Sequence, residues 1–298
     1  MTRHEDTGVK RGNIPREHLH MKTHGDDVSL LTSDEKRTSM TESNSKYILE
    51  VKNASKNFGG LQAINRLSFK VENGLIFSII GPNGAGKTTA INLITGIYPP
   101  TTGEIFFEGH NLYRKRPYQL AYMGIGRTFQ NIQVFHNMTV RENVMVGLHT
   151  KSRCGFLKCL LHTPMVWEEE KRIREKTDAV LKFLDLEPKA GVRVDELPYG
   201  DQKRVEIARS LAMDPKLLLL DEPVAGLNLQ ETQEIAQVIL KIRNMGVTVI
   251  LVEHDMNLIM GISDLITVLN YGEKIAEGDS EAVRNNPKVI EAYLGKEL

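Results

Sequence analysis

The sequence contains little that could staple it, anchor it in a bilayer or dedicate its surface to a polyanion. Only two of its 298 residues are cysteine, Cys154 and Cys159, and neither a second pair nor a ligand set accompanies them. That usage argues against a disulfide framework or a zinc site and fits structural thiols in a reducing cytoplasm. Lys plus Arg and Asp plus Glu each number 38, giving a formal charge of zero. Such a balance excludes a surface given over to gripping nucleic acid, and no nucleic-acid partner is expected. No apolar run approaches the roughly 20 residues of a membrane span, and the polar first residues do not form a secretory signal. A role at a membrane therefore requires a partner that crosses it.

Residues 1–46 contain no Phe, Tyr or Trp and carry eight basic and eight acidic side chains without periodicity. They read as a flexible N-terminal extension, with Met21 and Met40 as alternative starts. His18, His20 and His24 lie there without a Cys or a defined acidic partner, so no metal site is expected from them.

From Tyr47 the texture changes. YILEVKN, LSFKV, LIFSII and EIFFEG are short, branched or aromatic runs divided by Gly-containing turns, and they read as strands. Between Trp167 and Leu184, Ile173, Thr177, Val180, Leu181 and Leu184 recur at helical spacing, with Glu168 to Glu170 expected near the helix N-terminus. Farther on, KRVEIARSLAM and ETQEIAQVILKIRNMG read as helices, MNLIMGI as a short one, and LLLL, VTVILV and LITVL as buried strands. The alternation predicts an α/β fold. Its core is a mainly parallel sheet under helices, with an antiparallel β subdomain and a helical subdomain inserted at about residues 131–210.

GPNGAGKTT, residues 81–89, stands where a strand turns into a helix and has the G-x4-G-K-T pattern. Loop residues Gly81, Pro82, Asn83, Gly84, Ala85 and Gly86 can wrap phosphate with main-chain N–H groups. Lys87 suits the outer phosphates, Thr88 a magnesium ion and Thr89 a further phosphate bond. In KLLLLDEPVAGLN, residues 216–228, Asp221 emerges from the strand end to orient magnesium, and Glu222 is placed to polarise the water that attacks the outer phosphate. Gln130 in GRTFQ is a candidate magnesium ligand and nucleotide sensor on a loop, and His254 in VTVILVEHD a candidate outer-phosphate contact. Phe58, 23 residues before Gly81, is a candidate for stacking on the base, with a core role as the alternative. Together these residues make a nucleoside triphosphate with Mg2+ the expected ligand pair, and nothing in the pattern distinguishes adenine from guanine; ATP is what the resemblance described next implies.

In this order the motifs resemble the ATPase subunit of ATP-binding cassette transporters across residues 47–298. The resemblance implies head-to-tail pairing with a homologous subunit, each ATP lying between one phosphate loop and the partner's signature turn, here LPYGDQ. Against the usual Leu-Ser-Gly-Gly-Gln, Pro198 stands for Ser, Tyr199 for the first Gly, Gly200 for the second and Asp201 for Gln. Pro198 brings neither hydroxyl nor N–H, so Gly200 and the N–H groups after it are left as the expected phosphate contacts. Asn228 replaces a usual Asp, a departure expected to bear on communication between paired sites.

GIGRTFQNIQVFHNMTVRENVMVG, LPYGDQKRVEIARSLAMDP, VIEAYLG and the insert GFLKCLLHTPMVWEEE are similar to the ATPase component of branched-chain amino-acid importers. That likeness implies two membrane permeases, indirect coupling to an extracytoplasmic binding protein, and a peripheral position on the cytoplasmic face of the inner or plasma membrane. Importers of urea, amides or other amino acids, an envelope exporter and a soluble non-transport cassette ATPase are the alternatives.

Overall fold

The computed structural model describes residues 46–149 and 164–294. The expectations for the N-terminal extension before Lys46, for His18, His20 and His24, and for Cys154, Cys159 and the first part of the insert lie outside the described residues.

Two sheets carry the fold. Strands β1 (Tyr47–Phe58) and β2 (Leu61–Glu72) form a hairpin across Gly59 and Gly60, and β4 (Thr102–Phe107) and β5 (His110–Asn111) extend it in the antiparallel order β2-β1-β4-β5. The second sheet uses β3 (Ile76–Ile80), β6 (Ile125–Arg127), β7 (Leu217–Asp221), β8 (Thr248–Val252), β9 (Leu265–Asn270) and β10 (Glu273–Gly278). Its order is β10-β9-β3-β8-β7-β6, parallel throughout except for the antiparallel edge strand β10.

Every residue of β3, β7 and β8 is buried, which is why these strands read as unbroken apolar runs rather than alternating ones. The pleat still sorts their side chains to opposite faces. Phe77 and Ile79, Leu217 and Leu219, Ile250 and Val252 face a core shared with the antiparallel sheet and helix α1 (Lys87–Ile94). Ile76 and Ile80, Leu218 and Leu220, Val249 and Leu251 face a second core with the helical elements. The central sheet is thus a partition whose carboxyl edge is reached from both sides.

After α2 (Pro117–Met123), the chain makes β6 and then α3 (Val140–His149), α4 (Pro164–Phe183) and α5 (Tyr199–Ala212). These three pack on one another through Val144, Val180, Leu181, Val205 and Ala208. Helices α6 (Leu229–Asn244), α7 (Met256–Ile262), α8 (Ser280–Arg284) and α9 (Pro287–Leu294) follow.

Two local readings require correction. Helix α4 starts at Pro164, so Glu168 to Glu170 fall beyond its first turn, where the field of the helix end has faded. Helix α5 starts at Tyr199 rather than after LPYGDQ. Pro198 (φ −52°, ψ 151°) is the residue that precedes the helix, so most of the hexapeptide is helical rather than a turn. Its missing N–H has no intrahelical partner at that position either.

Candidate active site

The phosphate-loop residues join the end of β3 to the start of α1. Gly81 has φ 153°, and a Cβ there would stand 2.2 Å from the Leu269 carbonyl oxygen; Gly86 has φ 101°, and its Cβ would meet Ala63 O at 2.8 Å. Only glycine allows these approaches. Gly84 (φ 79°) differs: no heavy atom lies within 4 Å of a Cβ built there, so its outer face is open to a ligand. Lys87 curls back into the loop and donates from Nζ to Gly81 O at 2.7 Å and Pro82 O at 3.1 Å. Burial pushes its pKa down, and the charges of Glu222 and Asp221 oppose that. A buried ammonium held by main-chain carbonyls beside a helix N-terminus is chemically suited to anionic oxygens. Thr88 is exposed and Thr89 half-buried on the first turn of α1.

At the end of β7, separated from β3 by β8, Asp221 is 3 % exposed and accepts from Arg127 Nη2 at 3.0 Å. Burial raises its pKa, against the lowering influence of Arg127. Arg127 also donates to Asn92 Oδ1 at 2.7 Å and Thr95 Oγ1 at 2.9 Å, joining Asp221 to α1. Arg127 carries no expectation from the sequence beyond its place three residues before Gln130 in GRTFQ. Glu222 follows with φ 49°, a left-handed conformation uncommon outside glycine. It receives Gln130 Nε2 on Oε2 at 3.0 Å, so these two expected residues meet directly.

His254 projects into solvent beyond β8, its side chain 62 % exposed and its Nδ1 3.6 Å from Glu253 Oε2. Glu253 itself is fully buried. It accepts from Val224 N at 2.9 Å and His254 N at 3.0 Å, tying the loop after Glu222 to the loop that presents His254. Phe58 ends β1, partly exposed, with its ring edge-on to Tyr98 at 5.2 Å. Its exposure sets aside the core alternative, and Lys56 Nζ lies over the ring at 5.2 Å from its centroid.

Gly200 lies in the first turn of α5, and a Cβ there would come within 3.0 Å of Glu231 Oε1. Glu231 completes a capping box with Asn228, which accepts from Glu231 N and donates its own N–H to Glu231 Oε2, both at 3.0 Å. Asn and Asp serve equally as N-caps, so the departure at 228 costs α6 nothing. Asp201 turns inward to Lys189.

A glycine-lined phosphate cradle after β3, with a buried Asp and a glutamate at the end of β7 in the same largely parallel sheet, defines a P-loop nucleotide-binding protein. The ABC transporter family model matches residues 64–225, and a branched-chain amino acid ATP-binding cassette transporter model matches residues 273–298. The chain is 44% identical over 253 residues to the high-affinity branched-chain amino acid transport ATP-binding protein LivG of Salmonella typhimurium, covering 85% of this chain and 99% of that one. A crystal structure of the ADP conformation of an ATP-binding cassette of an ABC transporter superposes with a TM-score of 0.74 at 35% identity, over 85% of this chain and 100% of the other. A dimeric post-hydrolysis state of another cassette, bound to ADP and Pi, gives 0.65 at 29% identity over 78% and 98%. The chain belongs to the ABC transporter ATP-binding family.

Proposed function

We propose that this chain is the Mg-dependent ATPase subunit of an importer of branched-chain amino acids. The observation that carries the catalytic part is the meeting of Gln130 and Glu222 at the end of β7, beside the loop that buries Lys87. The solute assignment rests on the extent of the likeness to LivG and on the carboxyl-terminal family match.

Lys87 and the main-chain N–H groups of Gly84 to Thr89 hold the outer phosphates of ATP, while Phe58 offers its ring to the base. Thr88, Gln130 and Asp221 are hard oxygen donors suited to Mg2+, which when bound supplies positive charge to the phosphate oxygens. Glu222 takes the proton of the attacking water, Gln130 fixes that carboxylate, and His254 contacts the outer phosphate. Gly200, at the start of α5, approaches the nucleotide of a homologous subunit, giving two composite sites in a homo- or heterodimer.

No helix among the described residues is long and apolar enough to cross a membrane; the permease partners of this reading rest on the likeness to transport ATP-binding proteins. In this reading two permeases hold the subunit pair at the cytoplasmic face, an extracytoplasmic binding protein delivers the solute, and the described helices within about residues 131–210 form the helical subdomain. The test is ATP-dependent uptake of labelled leucine, isoleucine, valine, urea and small amides by the assembled transporter in vesicles. Uptake of the three branched-chain amino acids is expected; robust urea uptake with none of them reassigns the solute.

A further inference from the structure

Helix α5 buries two side chains of opposite charge that the phosphate chemistry does not use. Lys203 and Glu206 are 2 % and 1 % exposed, three residues apart on one face of the helix. Burying two charges in a packed helix face costs more than burying apolar residues of the same size, unless main-chain groups compensate them. Here the compensation comes from the Gln130 loop and the end of β7. Lys203 Nζ donates to Gln130 O at 3.3 Å and Glu222 O at 3.2 Å. Glu206 Oε1 accepts from Phe129 N at 3.1 Å and Gln133 N at 3.2 Å. One turn farther, Ser210 Oγ donates to Arg127 O at 3.0 Å.

The ammonium therefore bridges the main chains of the same two residues whose side chains bond each other, closing a ring of Lys203, Gln130 and Glu222. The carboxylate grips the loop on both flanks of Gln130. Tyr199, one turn before Lys203, has its ring 5.8 Å from the same ammonium and borders the position of a Cβ on Gly226. A rigid helix thus runs from LPYGDQ to the Gln130 loop.

We propose that Lys203 and Glu206 are positioning residues that lock Gln130 and Glu222 to the signature-bearing helix, so that the placement of that helix sets the geometry of the hydrolytic pair. This rests on the ATPase reading given above. In that reading Lys87 and the phosphate loop carry most of the grip on the nucleotide, and Lys203 and Glu206 bond only main-chain atoms outside that loop, so the pair acts more on turnover than on affinity.

The experiment compares the full-length wild type with Glu206→Ala, Glu206→Gln and Lys203→Met, with Glu222→Gln as the inactive control. Steady-state MgATP hydrolysis is read beside amide hydrogen exchange across residues 127–133 without nucleotide. Loss of two bonds to a charged acceptor predicts that Glu206→Ala lowers kcat about tenfold, with KM within about threefold, and speeds exchange at Phe129 and Gln133. Glu206→Gln recovers most of both, because one amide oxygen can accept both N–H groups. Lys203→Met lowers kcat by a similar factor and supplies the kinetic test should Glu206→Ala fail to fold. An active wild type with kcat unchanged in Glu206→Ala and Lys203→Met, or with Glu206→Gln as slow as Glu206→Ala, overturns the positioning role alone. A wild type inert toward ATP overturns the parent reading as well.

Discussion

Gln130 Nε2 and Glu222 Oε2 are hydrogen-bonded at 3.0 Å, joining the loop after β6 to the end of β7. Glu222 holds its left-handed backbone (φ 49°) because its N–H donates to Val252 O at 2.8 Å and its carbonyl accepts from Lys203. Strain kept in place by such partners is common at functional sites. Glu222→Gln retains an oxygen for Gln130 and loses the proton acceptor. ATP affinity by nucleotide titration should remain near wild type while phosphate release slows about a hundredfold or more. Wild-type turnover in a preparation free of contaminating ATPase would remove Glu222 as the base.

Lys87 is expected to behave differently, since it is buried within the phosphate loop and bonded to Gly81 O and Pro82 O. Burial already disfavours its charge, so Lys87→Met should leave the nucleotide-free chain at least as stable as wild type. The same substitution should abolish the rise in melting temperature that saturating ATP gives the wild type, because stabilisation by a ligand follows its affinity. Melting curves with and without ATP decide it. A full ATP-induced rise in the variant contradicts the assigned phosphate contact.

Arg127 and Asp221 form a buried pair, and removing the cation leaves an uncompensated carboxylate. Arg127→Met should destabilise the fold by about 3–5 kcal/mol at neutral pH. Burial raises Asp221 and Arg127 lowers it, so without Arg127 its pKa rises further. A carboxyl raised in the folded state favours folding below its unfolded pKa and loses that contribution as pH climbs through the folded value. The deficit of the variant should therefore shrink as the medium is acidified and Asp221 is protonated. The acid limb of ATP turnover should move to higher pH in the same variant. Urea unfolding at neutral and acidic pH, with a pH–rate profile, checks both; a deficit that does not change with pH would show that Asp221 is not what Arg127 compensates.

The parts of this site that could be read from the sequence are those where one local pattern dictates one chemistry. Glycines followed by Lys87 and Thr88 after an apolar run admit few other uses, and four leucines before Asp221 leave that carboxylate at a strand end. The parallel strands were legible for the same reason, being apolar along their whole length. Strand β6 was not, since its three residues include a glycine and an arginine, and its existence depends on pairing with β7. Helix α2, strand β10 and helix α8 are likewise short, and tertiary contacts rather than periodicity specify them. Lys203 and Glu206 look like solvated charges in KRVEIARSLAM. Only the folded chain brings the Gln130 loop against that face of α5 and turns them into buried, main-chain-bonded groups.

The start of α5 supplies the last prediction. LPYGDQ was expected to hold a partner's phosphate through Gly200 despite the proline, and the fold adds a second consequence for any side chain introduced there. A Cβ at Gly200 points to Glu231 Oε1 of the same chain, 3.0 Å away, so Gly200→Asp sets one carboxylate against another before a partner is involved. A carboxylate carried on that Cβ lies close to the Glu231 carboxylate, and like charges so near repel. The substitution should still leave ATP binding to the isolated subunit largely intact, because Gly200 belongs to α5 rather than to the phosphate loop. On a Glu222→Gln background, where hydrolysis no longer disperses the pair, ATP-dependent dimerisation read by light scattering should be lost. Adding Glu231→Gln removes the in-chain repulsion and separates the two causes. A role for Gly200 at the partner's nucleotide predicts that dimerisation stays lost in the triple variant. Recovery there, or normal dimerisation in Gly200→Asp itself, would leave LPYGDQ as the start of a helix and nothing more.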